Sequence, residues 1–223
     1  YQVSTATQFA QIANYPDAFF VQTADITFNK KNTTFPKIES FSGIYDAQGH
    51  KIIAGHNQTK PLFGIVSGTI TRLIVDMGTY TVQDGGAILC NELNGGTISY
   101  CNIKGNVTGV TAGGIVNTMN SGLIEYCCFT GDVTGNGAGY NAFGYAGGIC
   151  AIQNGGEIKG SMVAAPSQIH GATLIGLATA SGIANERNQA ASVTSCYSQA
   201  TVTMDNLLVG AEQPGADVAA GNG

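Results

Sequence analysis

Residues 113 to 135 read GGIVNTMNSGLIEYCCFTGDVTG. Glycine recurs too often here for a helix interior, where each one costs about 1 kcal/mol relative to alanine. The apolar residues come in short runs broken by Gly and by Asn-Ser-Gly, which are strand and turn signals without helical periodicity. The stretch is also poor in charge for the working part of an enzyme.

Its first ten residues have three counterparts that align without a gap. Ala87 to Gly96 reads AILCNELNGG, Gly147 to Gly156 reads GGICAIQNGG, and Ser181 to Ala190 reads SGIANERNQA. The four begin at residues 87, 113, 147 and 181, so successive starts lie 26, 34 and 34 residues apart. A similar second half follows each: TISYCNIKGNVTG from Thr97, LIEYCCFTGDVTG from Leu123, EIKGSMVAAPSQIHG from Glu157, and ASVTSCYSQATVTM from Ala191, the last slipped by one residue. Constant pieces joined by variable inserts are the mark of a solenoid. A short coil of two or three strands predicts an all-β fold, a parallel β-helix with rungs about 4.8 Å apart.

Superposed rungs turn aligned columns into expected contacts. Ile98, Ile124, Ile158 and Val193 form one apolar column, and Leu89, Ile115, Ile149 and Ile183 form another; both are expected in the core. Asn94, Asn120, Asn154 and Asn188 share a turn column, where Asn tolerates left-handed geometry and stacked amides can bond along the axis. This predicts a structural asparagine ladder. Of the six cysteines, Cys101, Cys127 and Cys196 share a column interrupted by Ser161, and Cys90 and Cys150 share another interrupted by Val116. Only Cys101 and Cys127 fall on adjacent rungs, so theirs is the one disulfide the spacing permits, while Cys128 faces the other way. The rest read as small buried hydrophobes rather than a disulfide framework, and without a CxxC no structural metal is expected.

The composition fits such a chain. Of 223 residues, 43% are hydrophobic and only 10% charged, with 32 glycines and no tryptophan; a typical domain has about 25% charged residues. A net charge of −5 with nine basic residues excludes a cationic stripe for nucleic acid. No run of about 18 apolar residues is present to span a membrane. The chain opens at Tyr1 without a charged-then-apolar leader, as a mature or trimmed chain would. Sequons at Asn32, Asn57 and Asn106 are candidate glycosylation sites.

Toward the N-terminus, Thr5-Ala6-Thr7-Gln8 matches a capping box. Phe9, Ile12 and Ala13 then make one apolar face before Pro16, which predicts a short helix lying across the first rung. Strands in FFVQTADITF and FSGIYDAQGHKI follow, then LFGIVSGTITRLIVD from Leu62. This lead-in, followed by repeats of the form GGI…N.G.I..C…G.VTG, resembles secreted and surface β-helix proteins with the GLUG motif over roughly residues 1 to 200. The resemblance implies a right-handed parallel β-helix with a short N-terminal capping helix, in an extracellular or cell-surface setting. Three parts of one continuous domain are expected: a cap and lead-in rungs over 1–84, the repeats over 85–204, and a C-terminal tail or interface segment over 205–223.

Proteins with similar repeats serve mostly as stalks or binding platforms, some beside protease domains directed at immunoglobulin. No H-E-x-x-H is present here, and His50, His56 and His170 stand apart in sequence. Acid chemistry on sugars needs two carboxylates within about 5 to 10 Å. No aligned column holds two, since Glu125 lies beside Lys159, an expected inter-rung ion pair, and Asp132 aligns with Asn106. The expected function is a non-catalytic extracellular structural or adhesive module without cofactor or metal, able to assemble head to tail into fibres. The alternative is carbohydrate binding, with polysaccharide processing a weaker variant. Its candidate contact is the insert GNGAGYNAFGYAGG, where Tyr140, Phe143 and Tyr145 sit among Gly and Asn. Partners of such a module are its own copies, or a host or matrix glycan or protein. The second insert, with Leu174, Ile175 and Leu177, is apolar enough to cover the solenoid or a neighbour.

Overall fold

The computed structural model describes residues 1–28, 36, 38–54, 59–81, 85–140, 143–175 and 178–206. Among them every strand pairing is parallel, and pairing always joins one rung to the next. Twelve strands form sheet 1, ten form sheet 2 and four form sheet 3. One rung shows the circuit: Thr111–Gly113 in sheet 3, Val116–Glu125 in sheet 1, then Cys128–Thr130 and Val133–Tyr140 in sheet 2. The chain folds as a parallel β-helix. Sheet 3 begins at Gly85–Ala87, where the repeats were expected to begin; at the other end the strand Thr201–Asn206 runs two residues beyond the expected boundary. Residues 207–223 lie outside the described residues.

The register follows the repeat. Ile98 pairs with Ile124, Ile124 with Ile158, and Ile158 with Val193. The one-residue slip of the last rung is taken up in the turn before Ala191, which pairs with Gly156. The column also extends upstream, where the lead-in supplies Phe20, Tyr45 and Ile70 in successive pairings. The second column, Leu89, Ile115, Ile149 and Ile183, is buried throughout and linked by main-chain bonds of 2.8 to 3.1 Å. β-Branched side chains suit this position because their restricted χ1 packs flat against an identical neighbour on the pleated surface.

At the N-terminal end, helix α1, Ala6–Ala10, continues into a 3₁₀ turn at Gln11–Asn14 and covers the core. Thr5 Oγ1 accepts from the Gln8 N–H at 3.2 Å, but Gln8 Oε1 reaches back to the N–H of Ser4 at 2.8 Å rather than to Thr5. Phe9 and Ile12 are fully buried, and the Phe9 ring meets Phe28, Tyr45 and Phe63 edge-on at 5.7 to 5.8 Å. Ala13, expected on the same face, is exposed. The tighter 3₁₀ turn aligns i with i+3 and leaves the i+4 position turned to solvent. The buried Tyr45 hydroxyl donates to Gln22 Oε1 at 2.8 Å, and Gln22 Nε2 donates to two carbonyls, so this buried polar pair is satisfied.

Truncation of Ile124 to Ala removes an interior member of the longest column, stacked between Ile98 and Ile158. It is expected to destabilise the fold by about 2–5 kcal/mol, the usual range for a buried Ile cavity, read as a lowered denaturant midpoint at unchanged slope.

Candidate functional site

Among the described residues, a groove of about 1050 Å³ lies on sheet 2. It lies where each rung of that sheet bends, between Asn102, Lys104 and Thr130 on one side and Asn106, Asp132 and Gln168 on the other. The bend needs glycine: a Cβ on Gly131 would run into the Gly105 carbonyl oxygen of the rung before. Side chains then pin the bent strands together. Asn106 Oδ1 accepts from the Asp132 N–H at 2.9 Å, and Asp132 Oδ1 accepts from the Gln168 N–H at 3.0 Å. One rung differs. Phe129 to Val133 spans four steps, whereas their partners Val163 to Ile169 span six, and the two extra residues place Ala165 and Pro166 in the groove lining.

The asparagine column forms a ladder in part. Asn120 Nδ2 donates to Asn94 Oδ1 at 2.7 Å and Asn154 Nδ2 donates to Asn120 Oδ1 at 2.8 Å, while Asn94 Nδ2 turns to Glu92 at 3.3 Å. Asn188 is held by its backbone N–H on the Gln153 carbonyl instead, at the turn that absorbs the register slip.

Cys101 and Cys127 stack on adjacent rungs as expected, yet all six cysteines are free thiols. The permitted disulfide is not formed. In-register parallel strands keep the two Cα–Cβ vectors parallel, so the Cβ atoms stay about 4.8 Å apart, beyond the roughly 3.5–4.5 Å of a disulfide. Each thiol instead turns to the carbonyl two residues back: Cys101 to Ser99 at 3.2 Å, Cys127 to Glu125 at 3.3 Å, Cys196 to Thr194 at 3.3 Å. Contact with Cys101 and burial push the Cys127 thiol well above its ordinary value. Burial raises Cys90 and lifts Cys150 to about 12.

Of the aromatic insert, Phe143 is 48% exposed and stacks on Tyr145 with ring centroids 5.7 Å apart. Tyr140 closes its strand, and its side chain lies outside the described residues, as do those of Leu174, Ile175 and Leu177. Asn32, Asn57 and His56 also lie outside them. Asn106 is exposed on the groove. Glu125 and Lys159 are register partners but close no ion pair, whereas Lys104 approaches Asp76 at 4.0 Å. His50 and His170, apart in sequence, each gain an aspartate: Asp25 at 3.4 Å and Asp205 at 3.5 Å, with His170 Nδ1 also 2.8 Å from Thr203.

Sequence reasoning missed a second aromatic surface. The corner between sheets 1 and 2 is turned by one left-handed residue per rung: Arg72, Tyr100, Tyr126, Gly160 and Ser195, all with φ between 52° and 56°. Only Gly160 announces itself, because bulky side chains rarely adopt this region, at a cost of roughly 1–2 kcal/mol each. The exposed rings of Tyr100 and Tyr126 stack at 5.2 Å, and a Cβ on Gly160 would sit 2.7 Å from the Tyr126 ring. The signal lay one residue before the cysteine column, where no turn residue marked it.

These bends, ladders and stacked cores define a parallel β-solenoid of the repeat type. No protein-family profile and no curated protein sequence matches the chain. Among solved structures, one from Bacteroides ovatus, provisionally assigned as an immunoglobulin A1 protease, matches over 98% of this chain and 81% of its own, with a TM-score of 0.62 and 16% identity. An IgA1 protease matches over 90% of this chain, again at 16% identity and with a TM-score of 0.55, but this chain spans 20% of that one. At this identity the likeness is one of fold. No helix among the described residues is long and apolar enough to cross a membrane.

The thiols make stability depend on pH. From the ordinary value of 9.0 upward, the unfolded chain loses protons that folded Cys150 holds until about 12. Stability is therefore full below pH 9 and falls as pH rises through that window. The thermal midpoint is expected to drop between pH 8 and pH 11, and to drop less in C150A. In a separate test, Asn120→Ala removes two axial bonds, and a loss of about 1–2 kcal/mol is expected at about 1 kcal/mol per bond, measured by denaturant unfolding.

Proposed function

We propose that the chain is a non-catalytic extracellular module, a structural or adhesive β-solenoid built from GLUG-type repeats and able to assemble head to tail. The observation that carries this reading is the unbroken inward stack from Phe20 to Val193, in which each rung is a template for the next. A parallel edge presents unpaired N–H and C=O groups, so a further rung, from the same chain or another copy, adds by the same bonds. The repeat pattern GGI…N.G.I..C…G.VTG supports the family reading, and with it the extracellular setting.

Carboxylate placement supports the non-catalytic part. Asp76 and Asp132, the acids nearest the groove, stand two rungs apart and in different columns. Two rungs alone are about 9.6 Å, the outer limit for a hydrolytic pair. The names of the two structural neighbours make immunoglobulin A1 the substrate to test. Incubated with this chain, the IgA1 heavy chain is expected to stay intact on a denaturing gel. Its cleavage overturns the non-catalytic reading. Light scattering with electron microscopy tests assembly, with rods longer than one solenoid expected as concentration rises; a particle that stays monomeric overturns the head-to-tail part.

A further inference from the structure

We propose that the sheet 2 groove binds an extended, neutral oligosaccharide laid along the solenoid axis. The inference rests on the adhesive reading and assigns it a partner class. The groove crosses successive rungs from Met77–Thr79 to Thr201, and the rungs repeat every 4.8 Å or so. That step is close to the length of one sugar ring in an extended chain. Hydrogen-bonding side chains recur at the same step. Among the described residues, Asn102 and Gln168 line the groove without a protein partner for their amide groups, Thr130 adds a hydroxyl that also meets the Cys128 thiol, and Gln199 uses only its oxygen, on the Ala165 N–H. A row of amides and hydroxyls that can both donate and accept suits a polyhydroxylated chain.

The alternatives fit less well. Among the described residues Lys104 is the one cation in the lining, with Asp132 in the lining and Asp76 beside it, so the groove repels a polyanion such as nucleic acid or a polyuronate. Met77 is buried, and Ala165 and Pro166 are the exposed apolar side chains of the lining, too few to hold a large apolar ligand. Tyr100 and Tyr126 turn the corner two residues before Asn102 and Cys128, outside the groove lining.

The test is amide-shift mapping of the isotope-labelled chain against cellohexaose, xylohexaose, mannohexaose and, as the polyanion, hexagalacturonate. At least one neutral hexaose is expected to shift the amides of Gly105, Asn106, Thr130, Gly131 and Gln168. Thr130→Trp, which fills the groove, is expected to weaken that binding at least tenfold. Should this variant fold poorly, the paired exchange N102A with Q168A at exposed strand positions is expected to give the same loss. The assignment is overturned by silence to all three neutral sugars, by stronger binding of hexagalacturonate, or by shifts centred on Phe143 and Tyr145. Recovered sugars that have been shortened contradict the non-catalytic reading and leave the groove assignment standing, so the two failures are distinct.

Discussion

In a parallel stack held in register, every side chain meets the residue at its own position one rung away. Each column must therefore be compatible with itself at about 4.8 Å. Apolar branched residues meet this condition through dispersion and exclusion of water. Asparagine meets it because one amide carries both a donor and an acceptor, so Asn94, Asn120 and Asn154 bond head to tail. Charged residues fail it, since like charges directly opposite on neighbouring strands repel. The described register shows the consequence: Asp76 pairs with Lys104, Glu125 with Lys159, and Asp132 lies between Asn106 and Gln168. The 10% charge content is thus a property of the fold.

The same constraint decides where variation is tolerated. Within a rung the core columns admit no length change, so insertions collect at corners and bends. The two residues added between Val163 and Ile169 leave the flanking pairings with Phe129 and Val133 untouched. They alter only the outer surface, where Ala165 and Pro166 reshape the groove. Core and surface are separated along each rung residue by residue.

Much of this was legible because self-similarity converts one sequence into its own alignment. The Ile98 column, the placement of Asn120 and the stacking of Cys101 on Cys127 follow from spacing alone. Spacing does not carry direction. It placed the two cysteines within reach but not the parallel Cα–Cβ vectors that keep them unbridged. It put Asn188 in the ladder column but not the slip that removes its side chain from the ladder. The left-handed corner at Tyr100 and Tyr126 was hidden because its residues have no turn preference, and tertiary context alone holds them there. The histidine–aspartate pairs were hidden too, because His170 and Asp205 come together only through a register set by the last two rungs.

The tyrosine corner also bears on how such a chain can evolve. Each ring leans over the next rung, where it meets either another flat ring, as Tyr100 meets Tyr126, or no side chain at all, as Tyr126 meets Gly160. Recombination that swapped one repeat for another would break this rule wherever a branched residue arrived beneath a ring. The constraint on exchange therefore acts between neighbouring rungs, even though the sequence repeats one rung at a time.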